Sequence, residues 1–449
     1  MTAAGGSNRK WAVDLEKTLG EGDVVLELGR WERHCIYRVP ASIKNKNLRA
    51  YQPQLVSLGP FHHGEPHLLP MEEHKRRALG RLLRRSGRSF DEFVAAVEDV
   101  AEELEHAYMD LGDEWAAGRG PGSRERFLEM MILDGCFLLE VMRRAAAGFD
   151  HHNDYAPNDP IFSSDDPIFC SHGILYHIPS IRRDMLMLEN QLPLLLLHKL
   201  IGVQRESPPG DDFINRMVVR FLAPFSRPPT PVGRLGLHPL DVFRWSMLFG
   251  EYQRFRVPEF DSDDTIRSAV ELYQAGIRFK TSNSSSLHNI RFRRGVLSMP
   301  KLPVDDSTEY TLFNMVAFER LHVGTGSATG SAIMAYVFFV DCIIQSPKDV
   351  ALLTSKGIIR NSLGSEEAVA MLFHSLARDV VLDPDGALSA LLRELNGYSS
   401  LPWEMWFTNL KRTYFGSPWA FMSLLAAAFL LLMTVLQTVY TMRQFYRDG

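Results

Sequence analysis

Four side chains near the amino-terminal third carry the donor types of a metal site. His62 and His63 follow Pro60-Phe61 and precede Gly64, and His67 and Glu72 lie close behind. Imidazoles and a carboxylate together can coordinate zinc. Adjacent residues of a regular element point apart, however, so hydrogen-bonded histidines in a turn, or a partner surface, compete with that reading, and no metal ligand is assigned. Glu72 and Glu73 stand three and four residues from Lys75 and Arg76, the spacing of ion pairs on a solvated helix face. The same two acids could serve acid–base chemistry, but helix pairing is the plainer use.

Asp134, Cys136 and Glu140 share a strongly apolar run, where a buried acid of raised pKa could act catalytically. A satisfied hydrogen bond or ion pair explains it equally and at less cost. Asp184, Glu189, Asn190 and Gln191 precede Pro193, a position from which polar groups can cap and orient a broken helix. Cys136, Cys170 or Cys342 with His172 could supply a nucleophile and a base, yet no third group stands at a recognisable spacing and there is no GxSxG elbow. Arg291, Arg293 and Arg294 interleave with Phe292 as the sharpest basic cluster. A salt-bridged surface is the first reading, a lipid headgroup or peptide partner the next, and no nucleic-acid partner is expected from an acidic chain. Walker A, dinucleotide and HExxH patterns are absent from the sequence. No catalytic residue and no cofactor is therefore assigned.

The elements that must position these residues read as mainly helical. The 449 residues are 45% hydrophobic and 23% charged, with net charge −5, which excludes a disordered, collagenous or disulfide-dense chain. Apolar periodicity predicts amphipathic helices over 69–83 and 90–111 and a buried helix over 124–144. An exposed loop follows over 147–172, then two helical pieces or one kinked helix over 181–201, broken at Pro193. A helix over 213–225 leads into a proline-rich tract at 226–239, the best internal boundary. Beyond it come a helix at 265–275, imperfectly alternating strands within 279–302, and helices at 308–321, 332–345, 347–356, 365–381 and 385–396. The expected fold class is mainly α with a minor antiparallel β element, a large helical soluble module ending in one C-terminal transmembrane helix. The expected divisions are an N-terminal arm (1–34), the helical domain (35–417), the span (418–440) and a short tail (441–449).

That span holds 23 residues without a formal charge. As a helix it would reach about 34 Å, against about 30 Å of hydrocarbon, with Trp419 and Tyr440 at the interfaces. The amino terminus has no apolar signal-peptide core. The expectation is thus a single-pass, tail-anchored membrane protein with its large domain cytosolic. The one sequon, Asn283-Ser284-Ser285, reads as a chance match.

Several runs resemble a plant family, the domain-of-unknown-function 247 proteins, also called UPF0481. They are IYRVP (36–40), YQPQLVSLGPFHHGEPHLLPMEEHKRRAL (51–79), RFLEMMILDGCFLLEVM (126–142), SIRRDMLMLENQLPLLLLHKL (180–200), ELYQAGIRFK (271–280), GVLSMPKLPVDDSTEYTLFNMVAFE (295–319) and YVFFVDCIIQSPKDVALLTSKGII (336–359). The main departures are the Ala/Arg-rich wording of the first half and the insert HVGTGSATGS (322–331). The resemblance implies a single terminal membrane helix, favours the plasma membrane, and brings no established catalytic activity. Some grass members are similar to self-incompatibility determinants. The expected function is a membrane-anchored plant protein-interaction or recognition and signalling module, either such a determinant or a paralogue. Its partners would be another protein, family members included, and the bilayer through 418–440, with loops 147–172 and 322–331 supplying variable contacts. A membrane-associated enzyme of unfamiliar type and a structural adaptor are the alternatives.

Overall fold

The apolar run inside residues 126–142 sets the layout of the first half. In a computed structural model this run lies in α5 (Ser123–Ala147), with Phe127, Met131, Cys136, Phe137, Leu138 and Leu139 fully buried. The structure describes residues 33–45, 47–115, 122–147, 168, 171–205, 208–224, 233–249, 267–322, 331–378, 380, 386–399 and 418–445. The described helices ahead of α5 are α1 (Ala41–Lys44), α2 (Pro70–Ser86), α3 (Phe90–Glu98) and α4 (Ala101–His106). After it come α6 (Ser171–Asp184), α7 (Leu194–Gln204), α8 (Asp211–Leu222) and α9 (Pro239–Leu248). Around α5 pack α2, α3, α7 and α8. A helix hydrophobic on every side is one enclosed by others. Gly135 lets α7 come close, since a Cβ there would stand 2.5 Å from Leu200 Cδ1.

Local signals account for the helix ends. Glu72 and Glu73 open α2 and Arg84 and Arg85 close it, complementing the helix dipole, and Gly87 (φ 64°) ends it in the left-handed conformation. Ser89 and Glu92 form a reciprocal capping box on α3. The single helix expected over 90–111 is two, parted at Asp99 and Val100. The expected break at Pro193 is present, with Pro193 as the N-cap of α7. It is wider than one kink, because α6 stops at Asp184 and residues 185–193 form turns. Helix α6 also starts at Ser171, ahead of the sequence expectation, which Gly173 and Pro179 obscure.

The chain divides into two compact units. The first comprises Met1–Gly250, Ser285–His288 and Val304–Met334, and the second Glu251–Ser284, Asn289–Pro303 and Ala335–Gly449. In the first, α11 (Asp306–Leu321) is capped by Asp305, whose carboxylate accepts from the Ser307 and Thr308 N–H groups. In the second lie α10 (Ala269–Gln274) and three strands, β1 (Arg278–Thr281), β2 (Arg291–Arg293) and β3 (Val296–Met299). There follow β4 (Leu302–Val304), α12 (Ala332–Ile343), α13 (Pro347–Ser355), β5 (Ile359–Asn361), α14 (Glu366–Ala377), α15 (Ala387–Ser399) and α16 (Pro418–Phe445). Asp349 braces this unit: its carboxylate accepts from Val270 N at 2.8 Å and from Ser346 N at 2.9 Å.

The minor sheet is mixed, not antiparallel as expected. Its order is β1-β3-β2, with β1 parallel to β3 and β2 antiparallel to it. Alternation along one strand cannot report the direction of its neighbour, and the 282–290 connection carries the chain past β3's place to the far edge. Strands β2 and β3 are joined by two residues, Arg294 (φ 50°) and Gly295 (φ 71°), the primed turn that suits strand twist. Arginine in this conformation costs about 1 kcal/mol. Strands β4 and β5 form a separate pair.

The transmembrane expectation is corrected. Residues 418–440 do lie in a helix, α16, but no helix among the described residues is long and apolar enough to cross a membrane. Thr434, Gln437 and Thr438 interrupt the apolar run of α16. The single-pass topology and the plasma-membrane placement are corrected on the same finding. Most of the N-terminal arm and of loops 147–172 and 322–331, the 226–232 tract and Cys170 lie outside the described residues.

Gly59 and Gly64 provide a paired test of the first unit. Both have positive φ, 79° and 82°, but a Cβ on Gly59 would lie 2.9 Å from the Gln191 carbonyl oxygen, whereas Gly64 faces nothing within 4 Å. Gly64→Ala should cost about 1 to 2 kcal/mol. Gly59→Ala should cost about 2 to 4 kcal/mol, because overpacking adds to the strain. Urea unfolding of both variants gives the difference.

Candidate functional site

Between Tyr51 and Phe61 the chain is neither helix nor strand, although Val56, Leu58 and Ser57 are buried. Buried N–H groups need acceptors. Side chains supply them. Asp184, the last residue of α6, accepts from Gln54 N (2.9 Å), Leu55 N (2.7 Å) and Val56 N (2.9 Å). Asn190 accepts from Leu58 N at 2.7 Å and donates to the carbonyls of Val56 and Asp184, both at 3.0 Å. Asp134, in the middle of α5, accepts from Gly59 N at 2.8 Å. Burial pushes the Asp184 pKa up against the pull of its three N–H donors. Burial likewise raises Asp134, with Lys75 opposing.

Two further amides fasten this arrangement. Gln191 donates to the carbonyls of Met185 (2.6 Å) and Met187 (2.7 Å) and accepts from Leu240 N (3.0 Å). Asn314, on α11, accepts from Leu188 N (2.8 Å) and donates to Ala50 O (2.7 Å). Glu189 turns toward the amino-terminal segment instead. It accepts from Val39 N (2.6 Å) and Lys44 Nζ (2.5 Å), and His62 Nε2 lies 3.4 Å away. Burial would raise Glu189, but His62, Lys44 and Val39 outweigh it and hold its pKa below the usual range. His62 Nδ1 meets Glu65 at 2.7 Å.

Lys75 is wholly buried and joins this core to a groove. Its Nζ lies 2.6 Å from Asp134 Oδ1, donates to Glu72 Oε1 at 2.6 Å and to Ser57 Oγ at 3.0 Å. Glu72 is the half-buried member, and it also lines a groove of about 490 Å³ between α2 and α5. Leu69, Trp115, Met130 and Leu133 give that groove its apolar lining, and Glu73, Glu129, Arg76 and Arg126 its charges. His63 stands edge to face with Trp115, ring centroids 5.2 Å apart.

The sequence candidates thus separate by role. Glu189, Asp184 and Asn190 fasten buried backbone, His62 meets the carboxylates of Glu65 and Glu189, and His63 and Glu72 reach the groove. His62 and His63 take different partners, and among the described residues no three His, Cys, Asp or Glu side chains are grouped to hold a metal ion. Burial raises the thiol pKa of Cys35 and Cys136 far above its ordinary value and that of Cys342 to about 12, leaving neutral, poorly nucleophilic thiols at pH 7. Arg291, Arg293 and Arg294 are exposed in the second unit, on β2 and its turn.

Sequence reading missed Lys75 as a core residue, Trp115 and Glu319. Glu319 (α11) pairs with Arg244 (α9), whose Nε donates to it at 2.7 Å, and accepts from Ile333 N (3.0 Å) and Met334 N (2.8 Å) at the start of α12. It also missed His238, wholly buried, which accepts from Asp241 N (3.3 Å) and stands 3.1 Å from the Cys35 carbonyl. A charged residue gives no sequence signal of burial unless its partner is known.

The sequence comparisons point to one family. Residues 36–433 match the DUF247 family, described as plant protein of unknown function, and the chain belongs to it. It is similar to the UPF0481 protein At3g47200 of Arabidopsis thaliana, 29% identical over 95% of this chain and 90% of that protein. The putative UPF0481 protein At3g02645, also of Arabidopsis thaliana, is 22% identical over 95% and 94%. No solved structure matches.

Two outcomes follow for the core. Lys75→Met leaves Asp134 buried without its cation and should cost about 3 to 5 kcal/mol. Lys75→Met with Asp134→Asn should lose less than the single change, a coupling that a urea double-mutant cycle measures. His238 is held down to about 4, chiefly by burial. Its unfolded form protonates near pH 6.5 while the folded form stays neutral, so its contribution is complete above pH 6.5 and lost as pH falls toward 4. The loss is about 3 kcal/mol. His238→Gln should flatten that part of a stability–pH profile.

Proposed function

We propose that this chain acts by binding, as a recognition module for another plant protein, with the groove between α2 and α5 receiving an anchor side chain of the partner. The observation that carries this reading is the groove itself: an apolar lining that includes Trp115, Met130 and Leu133, bordered by charges of both signs. Interfaces concentrate their energy where an aromatic or aliphatic anchor enters such a depression inside a polar rim. Exposed Arg76 and Glu129 have no ion-pair partner among the described residues and remain for a partner's opposite charges. The buried acids, by contrast, are committed to backbone N–H groups and to Lys75. Recognition between members of one family, as the resemblance to self-incompatibility determinants suggests, is the specific form we favour.

The test combines proximity labelling of the full chain in plant tissue with reciprocal pull-down of the labelled protein. Arg76→Glu with Glu129→Arg reverses two exposed charges and should weaken the purified complex at least tenfold while the circular dichroism spectrum is unchanged. A complex of unchanged affinity would remove the groove from the interface. The absence of any reciprocal partner under native expression would sink the recognition reading altogether.

A further inference from the structure

The three-stranded sheet of the second unit carries a charge pattern that sequence order hides. In β1, Arg278 and Lys280 are exposed on either side of buried Phe279. In β2, Arg291 and Arg293 are exposed on either side of buried Phe292. The register places Arg278 and Arg293 opposite Val296, and Lys280 and Arg291 opposite Ser298. Cross-strand partners share a face. All four cations therefore stand on one face, as two rails flanking half-buried Val296 and Ser298 of the central strand. Arg294 adds a fifth cation at the hairpin tip, in a left-handed conformation usually given to asparagine or glycine.

The opposite face explains why this one is free. Phe279, Leu297 and Phe292 are buried there, Phe292 edge to face with Tyr398 of α15 at 5.3 Å. Gly295 approaches the same ring, since a Cβ would stand 2.6 Å from the Tyr398 hydroxyl. Among the described residues these contacts hold the sheet from that side. Among the described residues none of the five cations forms an ion pair or a side-chain hydrogen bond. The salt-bridged surface expected for Arg291, Arg293 and Arg294 is not what the described residues show. In a chain of net charge −5, five unpaired cations on one small sheet are a local reversal of sign.

The geometry points to an acidic, extended polypeptide segment as the occupant of this face, lying along β3 between the two rails. The rails are about two strand spacings apart, or about 10 Å, the width of an extended chain with its side chains. Successive cations along each rail are two residues apart, about 6.7 Å, which is the repeat of side chains on one side of an extended peptide. A segment with Asp or Glu at alternate positions therefore meets one cation per repeat on either rail. Single-stranded nucleic acid fits less well, because both phenylalanines of the outer strands face inward and leave no exposed ring for base stacking. This surface belongs to the second unit and does not depend on the groove of the first.

Fluorescence anisotropy with the full chain tests the assignment. The probes are two labelled synthetic peptides of equal length and charge, one with glutamate at alternate positions and one with the glutamates in a single block, beside a neutral control. The alternating peptide should bind at least fivefold more tightly than the block peptide, and its affinity should fall steeply with salt. Arg278→Glu with Arg293→Glu should weaken it at least tenfold, whereas the lysine versions of the same two changes should retain most of the affinity. Both substituted side chains, Arg278 and Arg293, are exposed, so circular dichroism confirms that the variants fold. Equal binding of the neutral peptide, or unchanged affinity in the glutamate double variant, would overturn the proposal. So would tighter binding of a single-stranded oligonucleotide or of phosphatidylserine vesicles than of the alternating peptide.

Discussion

An extended segment buried without a strand beside it is the constraint around which the first unit is built. Residues 54–59 expose N–H groups that a β-sheet would ordinarily pair, and Asp184, Asn190 and Asp134 take the place of that missing neighbour. Each acceptor sits on a different stretch of chain. The middle of α5, the end of α6 and the turn before α7 are all held at one distance from residues 54–59. A carboxylate offers several lone pairs at one point, so Asp184 can gather three successive amides where a strand would engage only alternate ones. Burial makes these groups costly to leave unsatisfied, which ties the helices to the segment as firmly as the segment to the helices.

Much of the helical framework was legible in the sequence because apolar periodicity and capping are local. The run 126–142 reads as a buried helix from its apolar content, and the apolar stripe from Phe90 on gives the start of α3. Asp184 and Asn190 were visible as polar residues in an apolar setting, but their partners lie about 130 residues away, and no local rule names them. Lys75 looked like the exposed member of an i,i+3 pair with Glu72. That pair exists, and only Asp134 reveals it to be internal. The rail formed by Arg278 and Lys280 was illegible for a different reason. It depends on β1 lying parallel to β3, a relation set by the path of the chain between them.

The two units distribute polar character in opposite ways. The first turns charge inward, where carboxylates and amides bind backbone, and shows both signs at its groove. The second, where its sheet is concerned, turns aromatic rings inward and leaves a single sign outside. The expected terminal span illustrates the limit of composition. An uncharged run predicts a helix well, and α16 is one, but no helix among the described residues is long and apolar enough to cross a bilayer.

Glu319 has an evolutionary implication. One carboxylate on α11 accepts from two amides in the first turn of α12, so the chain on either side of residues 323–330 is joined by a single clasp. Once the ends of a loop are pinned together, doubling its length adds only about 0.6 kcal/mol of closure entropy. Natural selection can therefore lengthen, shorten or rewrite the stretch between residues 322 and 331 almost without thermodynamic penalty, provided the clasp itself is kept.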